Sequence, residues 1–91
     1  MIHPQHLIAR LRLLIPNAVP LYTEGHCLGF HEFLKQIYPS AKGWYDPIDC
    51  HAYTEIGGKF YDITGEAKFQ SYWRPLSRQQ KRRLNKRWLS T

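Results

Sequence analysis

Long apolar runs are missing from this 91-residue sequence: Arg10 and Arg12 interrupt the one candidate, between Leu7 and Ile15. Nothing approaches the roughly eighteen residues that a membrane span requires. The N-terminus also lacks the basic-then-apolar order and small-residue cleavage site of a secretory signal, so a cytoplasmic location is expected. Cysteine is scarce. Cys27 and Cys50 permit at most one intramolecular disulfide, which excludes a disulfide scaffold. Internal repeats are absent, as are helix-turn-helix, RNP, zinc-finger and P-loop signatures. Acidic residues are absent before Glu24 and after Glu66, whereas eight of the thirteen Lys and Arg residues follow Glu66. The net charge of +6 therefore belongs to the C-terminal stretch.

What remains is rich in core-forming side chains, at 43% hydrophobic and 14% aromatic. That composition predicts a folded globule, and 91 residues predict one domain with a single modest core. Pro4 suits a first helical turn, and Leu7, Ile8, Leu11, Leu14 and Ile15 recur at helical spacing until Pro16, giving a helix over about 4–15. Pro16, Asn17 and Pro20 predict a connector, followed by a second helix from near His26 or Cys27 to Pro39. Phe30, Phe33, Leu34 and Ile37 form its buried stripe, and Cys27 stands at the N-terminal end of that stripe.

Trp44-Tyr45 reads as a short strand closed by Asp46-Pro47, and 49–56 and 59–64 as two β-rich runs joined by the hairpin turn Gly57-Gly58. After an aromatic stretch with Phe69, Tyr72 and Trp73, Ser77 can cap a last helix to about Leu89. The expected fold is α+β, with helices packed on one side of a small antiparallel sheet; the core spans about 4–66 and the basic helix about 77–89.

A thiol reacts as its thiolate, and a helix N-terminus favours the thiolate through its unpaired N–H groups and dipole. Cys27 is placed for this, and the same N–H groups suit a developing oxyanion. The base and its orienter follow from the hairpin. A two-residue turn at Gly57-Gly58 sets Ile56 opposite Lys59, Tyr53 opposite Asp62 and His51 opposite Thr64, so His51 and Asp62 are diagonal neighbours on one face. At a backbone separation of roughly 7–8 Å, an imidazole and a carboxylate can share a hydrogen bond. Asp49 and Asp46 are alternative orienters.

Gly25-His26-Cys27 opening a Phe-rich helix, then Cys50-His51-Ala52-Tyr53, then Phe60-Tyr61-Asp62-Ile63, resembles the Cys, His, Asp order of the papain-like and transglutaminase-like superfamily over about residues 23–66. Small bacterial and phage proteins carry similar patterns. The resemblance implies a papain-like or transglutaminase-like core, with Cys27 as nucleophile, His51 as base and Asp62 as orienter. It further implies acyl transfer on a peptide, amide or ester through a thioester, without a cofactor. No Gln precedes the cysteine and Leu28 stands where papain-like proteins carry Trp, so Tyr22 or backbone N–H groups are the expected oxyanion donors.

Two further chemistries compete with this one. His26, Cys27, His31, Cys50 and His51 are candidate zinc ligands, but adjacent Cys50 and His51 point to opposite faces of a strand and no CxxC or HxxxH pair occurs, so no metal is expected. Arg78, Lys81, Arg82, Arg83, Lys86 and Arg87 offer a cationic helix to a nucleic acid or an acidic protein, so a binding or inhibitor protein on the same fold is the alternative to an enzyme.

Overall fold

The computed structural model of the chain describes residues 2–23 and 27–77, the side chains of residues 21–23 excepted. Tyr22 as oxyanion donor, and the C-terminal helix with Arg78, Lys81, Arg82, Arg83, Lys86 and Arg87, lie outside what is described.

Helix α1 (Pro4–Leu14) begins with proline in its first turn, and His3 caps it by accepting the Gln5 N–H at 3.2 Å on Nδ1. Ile8 is its buried anchor; Leu13 and Leu14 face outward, so the buried stripe is narrower than the apolar pattern suggests. The expected connector contains a second helix, α2 (Ala18–Thr23). α1 ends where Ile15, the residue before Pro16, turns extended at φ −103° and ψ 113°; Asn17 then takes a left-handed φ of 58° just before α2 starts, and Pro20 falls in the first turn of α2, where its missing N–H has no intrahelical partner. Helix α3 (Cys27–Ile37) buries Cys27, Phe30, His31 and Leu34 and leaves Phe33 40% exposed, since Phe33 lies off the line that faces the sheet.

Five antiparallel strands form an open sheet in the order β4-β3-β2-β1-β5: β1 (Lys42–Asp46), β2 (His51–Ile56), β3 (Lys59–Asp62), β4 (Gly65–Ala67) and β5 (Arg74–Pro75). The β2–β3 hairpin has the expected register, Ile56 opposite Lys59 and Thr54 opposite Tyr61. Gly57 and Gly58 both have positive φ, 60° and 82°, as a two-residue turn matched to strand twist requires. Three points differ from expectation. β2 starts at His51, because 47–50 form a turn held by Asp46 Oδ1, which accepts the Ile48 and Asp49 N–H groups at 2.9 and 3.1 Å. β3 stops at Asp62, because the chain turns through Ile63-Thr64 into β4, so Thr64 never faces His51. The two edge strands, β4 and β5, extend a sheet expected to be smaller.

The helices cover one face of the sheet, where Ile8, Ala18, Phe30, Leu34 and Tyr38 pack with Tyr61 and Ile63. Within this layer the His31 ring nitrogen Nδ1 and the Thr54 hydroxyl are 2.7 Å apart, which satisfies two buried polar groups between α3 and β2. The opposite face carries Trp44, Tyr53 and Phe60, and the segment leading to β5 folds over it through Phe69 and Trp73.

Gly43 is where α3 and the chain after β5 close on the sheet: a Cβ there would lie 2.7 Å from His31 Nε2 and 2.9 Å from Leu76 Cδ2. The Gly43→Ala protein is expected to lose about 1–3 kcal/mol through overpacking against a buried ring. Thermal unfolding followed by circular dichroism checks this, with a fall in Tm of roughly 4–8 °C per kcal/mol for a chain of this size.

Candidate active site

Three elements bring Cys27, His51 and Asp62 together. Cys27 is the first residue of α3, His51 the first of β2 and Asp62 the last of β3, so all three stand at the same end of the molecule. Each is buried, at 5%, 6% and 7% exposure respectively. His51 Nε2 lies 3.0 Å from Asp62 Oδ2. The other carboxylate oxygen, Oδ1, accepts the Thr64 N–H at 2.9 Å and the Thr64 hydroxyl, so the turn that ends β3 fixes the carboxylate to which His51 bonds. With Nε2 engaged, Nδ1 is the ring nitrogen left for Cys27, whose thiol is coupled electrostatically to His51. The backbone N–H groups of Leu28 and Ala52 also donate to the sulfur, one from the first turn of α3 and one from β2.

The electrostatics follow from these contacts. Burial pushes the Cys27 thiol up, but the His51 hydrogen bond, the Ala52 N–H, the His51 charge and the Leu28 N–H outweigh it and hold the thiol below its ordinary 9.0. Burial pushes His51 down, yet its hydrogen bonds to Asp62 and Cys27 and their charges raise it to about 9. Asp62 would rise on burial, but His51 and the two Thr64 donors hold it below 3.8. The arrangement thus favours a thiolate beside an imidazolium, with a carboxylate behind the ring.

An open depression of about 200 Å³ adjoins the dyad, lined by Asp49, His51, Tyr53 and Asp62. Asp49 is exposed on its rim, and the orienting position is filled by Asp62. Asp46, the other alternative, is committed elsewhere: besides its turn it accepts the Trp73 indole N–H at 3.2 Å on Oδ2. Tyr53, pushed up to about 12 by burial and then by Asp62, Asp46, Asp49 and Tyr72, keeps its phenolic proton throughout the neutral range. Among the zinc candidates His31 is tied to Thr54 and Cys50 is exposed, and among the described residues no three His, Cys, Asp or Glu side chains converge to hold a metal.

Thr64 and Ala52 are the site residues not anticipated. An Asp-x-Thr pattern at a strand end was the available signal for Thr64, since Asx and Ser/Thr turns place such a hydroxyl and N–H on the acid two residues before. Ala52 acts through its backbone, which side-chain reading does not see.

Together these features define a small α+β protein with an open five-stranded antiparallel sheet and a buried, hydrogen-bonded cysteine, histidine and aspartate at one end. The chain belongs to the Phage YunG-like protein family, which matches residues 7–88 and so spans every residue of this site. A phage or bacterial protein is the origin that family suggests. No curated protein and no solved structure matches the chain. Among the described residues no helix is long and apolar enough to cross a membrane.

Proposed function

We propose that the chain is a cysteine-dependent hydrolase or acyltransferase of the papain-like and transglutaminase-like kind. The observation that carries this reading is the 3.0 Å bond from His51 to Asp62 with buried Cys27 coupled to the same imidazole, so that the thiol is held down and the imidazole held up. Sγ of the Cys27 thiolate attacks the carbonyl carbon of an amide or ester. The N–H groups of Leu28 and Ala52, which hold the thiol down, are donors available to the oxyanion that forms. Collapse breaks the bond to the leaving group, which takes the proton from His51, and leaves a thioester on Cys27. Water or an amine then gives a proton to His51 and attacks the thioester, releasing the acyl group and restoring the thiolate. Asp62 keeps the ring in the tautomer that serves both halves.

Labelling with iodoacetamide near pH 7 tests this directly. Cys27 is expected to be alkylated at least about tenfold faster than the exposed Cys50, despite its burial, because the thiolate rather than the thiol reacts. Equal slow labelling of the two would sink the proposal.

A second reading is favoured by the 5% exposure of Cys27 within a small apolar cluster of Leu28, Ala52, Tyr45 and Leu76. On it the protein is a non-catalytic binding or inhibitor protein, and Arg78, Lys81, Arg82, Arg83, Lys86 and Arg87 engage a nucleic acid or an acidic partner. Salt-sensitive binding that survives Cys27→Ala but not neutralisation of Arg82, Arg83, Lys86 and Arg87 separates this reading from the first.

A further inference from the structure

One hydrogen bond does not hold an imidazole still. The Nε2 to Asp62 bond selects the tautomer of His51 but leaves the ring able to swing about that contact, and the bond to Cys27 changes whenever the proton moves. Beside the ring lies the open depression of about 200 Å³, which His51 itself lines. Something else must fix the plane of the ring.

Tyr53 provides the next contact. Its ring stands at 82° to the imidazole with centroids 4.7 Å apart, and it stacks on Trp73 at 4.1 Å and 13°. Trp73 is 5% exposed and braced edge-on by Phe60 and Phe69 at 5.8 and 5.6 Å. Its indole N–H donates to Asp46 Oδ2, and Asp46 pairs with His51 across β1 and β2. The chain of contacts therefore closes on itself, from His51 through Tyr53, Trp73 and Asp46 back to the strand pair that carries His51.

We infer that Tyr53 and Trp73 are positioning residues for His51, forming an aromatic bracket that keeps the imidazole plane aligned between Cys27 and Asp62. The inference rests on the catalytic reading of the trio. It gives a task to the buried Asp46, which the hydrogen-bond chain of the site does not use: anchoring the bracket. The titratable groups around His51 are Cys27 from α3, Asp62 from β3, Tyr53 on its own strand, Asp46 opposite on β1, and Asp49 on the rim of the depression. The bracket adds no charge to this set and works by geometry.

The test combines NMR titration of the His51 ring with the rate of Cys27 alkylation across pH, using the full chain. Tyr53→Leu is expected to bring the His51 titration from about 9 toward its ordinary 6.5 and to slow Cys27 alkylation at pH 7 about tenfold, because a ring free to turn loses alignment with both partners. Tyr53→Phe, which keeps the ring and loses only the hydroxyl, is expected to retain wild-type values. Trp73→Phe, which keeps an aromatic face for Tyr53 but drops the bond to Asp46, is expected to show a smaller shift in the same direction, and decides the matter if Tyr53→Leu does not fold. A folded Tyr53→Leu or Trp73→Phe protein with an unchanged His51 titration and Cys27 rate overturns the inference. Equal slow labelling of Cys27 and Cys50 in the wild type overturns the catalytic reading instead, while the His51 titration still decides the bracket.

Discussion

In a His51→Ala protein, alkylation of Cys27 at pH 7 is expected to fall at least about tenfold, while that of Cys50 stays unchanged. Two opposed influences act on the thiol. Burial, the larger single one, raises it; the His51 hydrogen bond and charge, together with the N–H groups of Ala52 and Leu28, bring it below 9.0. Removing the imidazole takes away its hydrogen bond and its charge and leaves the burial. The thiol then moves to higher pH, so the thiolate fraction at pH 7 drops to roughly one per cent or less. The whole pH profile of labelling must show the same displacement. In the wild type the rate rises along a limb below pH 9, and in His51→Ala that limb moves up. Profiles that superimpose would mean that the imidazole does not support the thiolate.

The wild-type profile carries a second expectation. Above about pH 9 the imidazolium loses its proton, so a reaction that needs His51 as acid declines, whereas alkylation, which needs only the thiolate, does not. Acyl transfer to or from a small ester and iodoacetamide labelling therefore separate on the alkaline side and coincide on the acid side.

How much of this was legible depended on whether local chemistry set the outcome. The Gly57-Gly58 turn dictates the β2–β3 register, and from the register alone His51 and Asp62 become diagonal neighbours; the structure has that register and a 3.0 Å bond between them. Prolines marked both ends of α1. Non-local contacts decide the rest. Pro16, Asn17 and Pro20 signal a break, but not that the chain restarts as α2 once its prolines sit where no donor is needed. β4 and β5, three and two residues long, are too short for alternation to mark. Strand periodicity carried β3 through Thr64, whereas the chain turns after Asp62 and brings Thr64 round onto the carboxylate. The approach of Cys27 to His51 joins an α3 start to a β2 start twenty-four residues later, a contact that no local pattern encodes. Trp73 reads from sequence only as an apolar residue near Pro75; its place behind Tyr53 depends on β5 pairing with β1.

The largest stability effect is expected at Asp62. Asp62→Ala leaves the buried His51 charge without its carboxylate and the Thr64 donors without their acceptor. Breaking a buried pair from one side costs about 3–5 kcal/mol, a large share of the stability of a chain this size. Asp62→Asn keeps the shape and isolates the charge, and the difference between wild type and Asp62→Asn has a shape in pH that follows from the two shifted groups. Asp62 is held below 3.8, so its contribution is complete above that value and is lost as pH falls through its lower folded value. His51 is raised to about 9, so its contribution is complete below 6.5 and is lost as pH rises through 9. The lowered Cys27 thiol contributes in the opposite sense on the alkaline side, since its share grows as pH rises toward 9.0, but that share depends on the same imidazolium and disappears with it. The stability difference should therefore be broad and flat between about pH 4 and 6.5 and close toward both ends, as urea unfolding of the two proteins at matched pH will show. A difference that stays constant from pH 3 to 10 would mean that Asp62 and His51 are held by packing alone and that the charged pair makes no contribution to the fold.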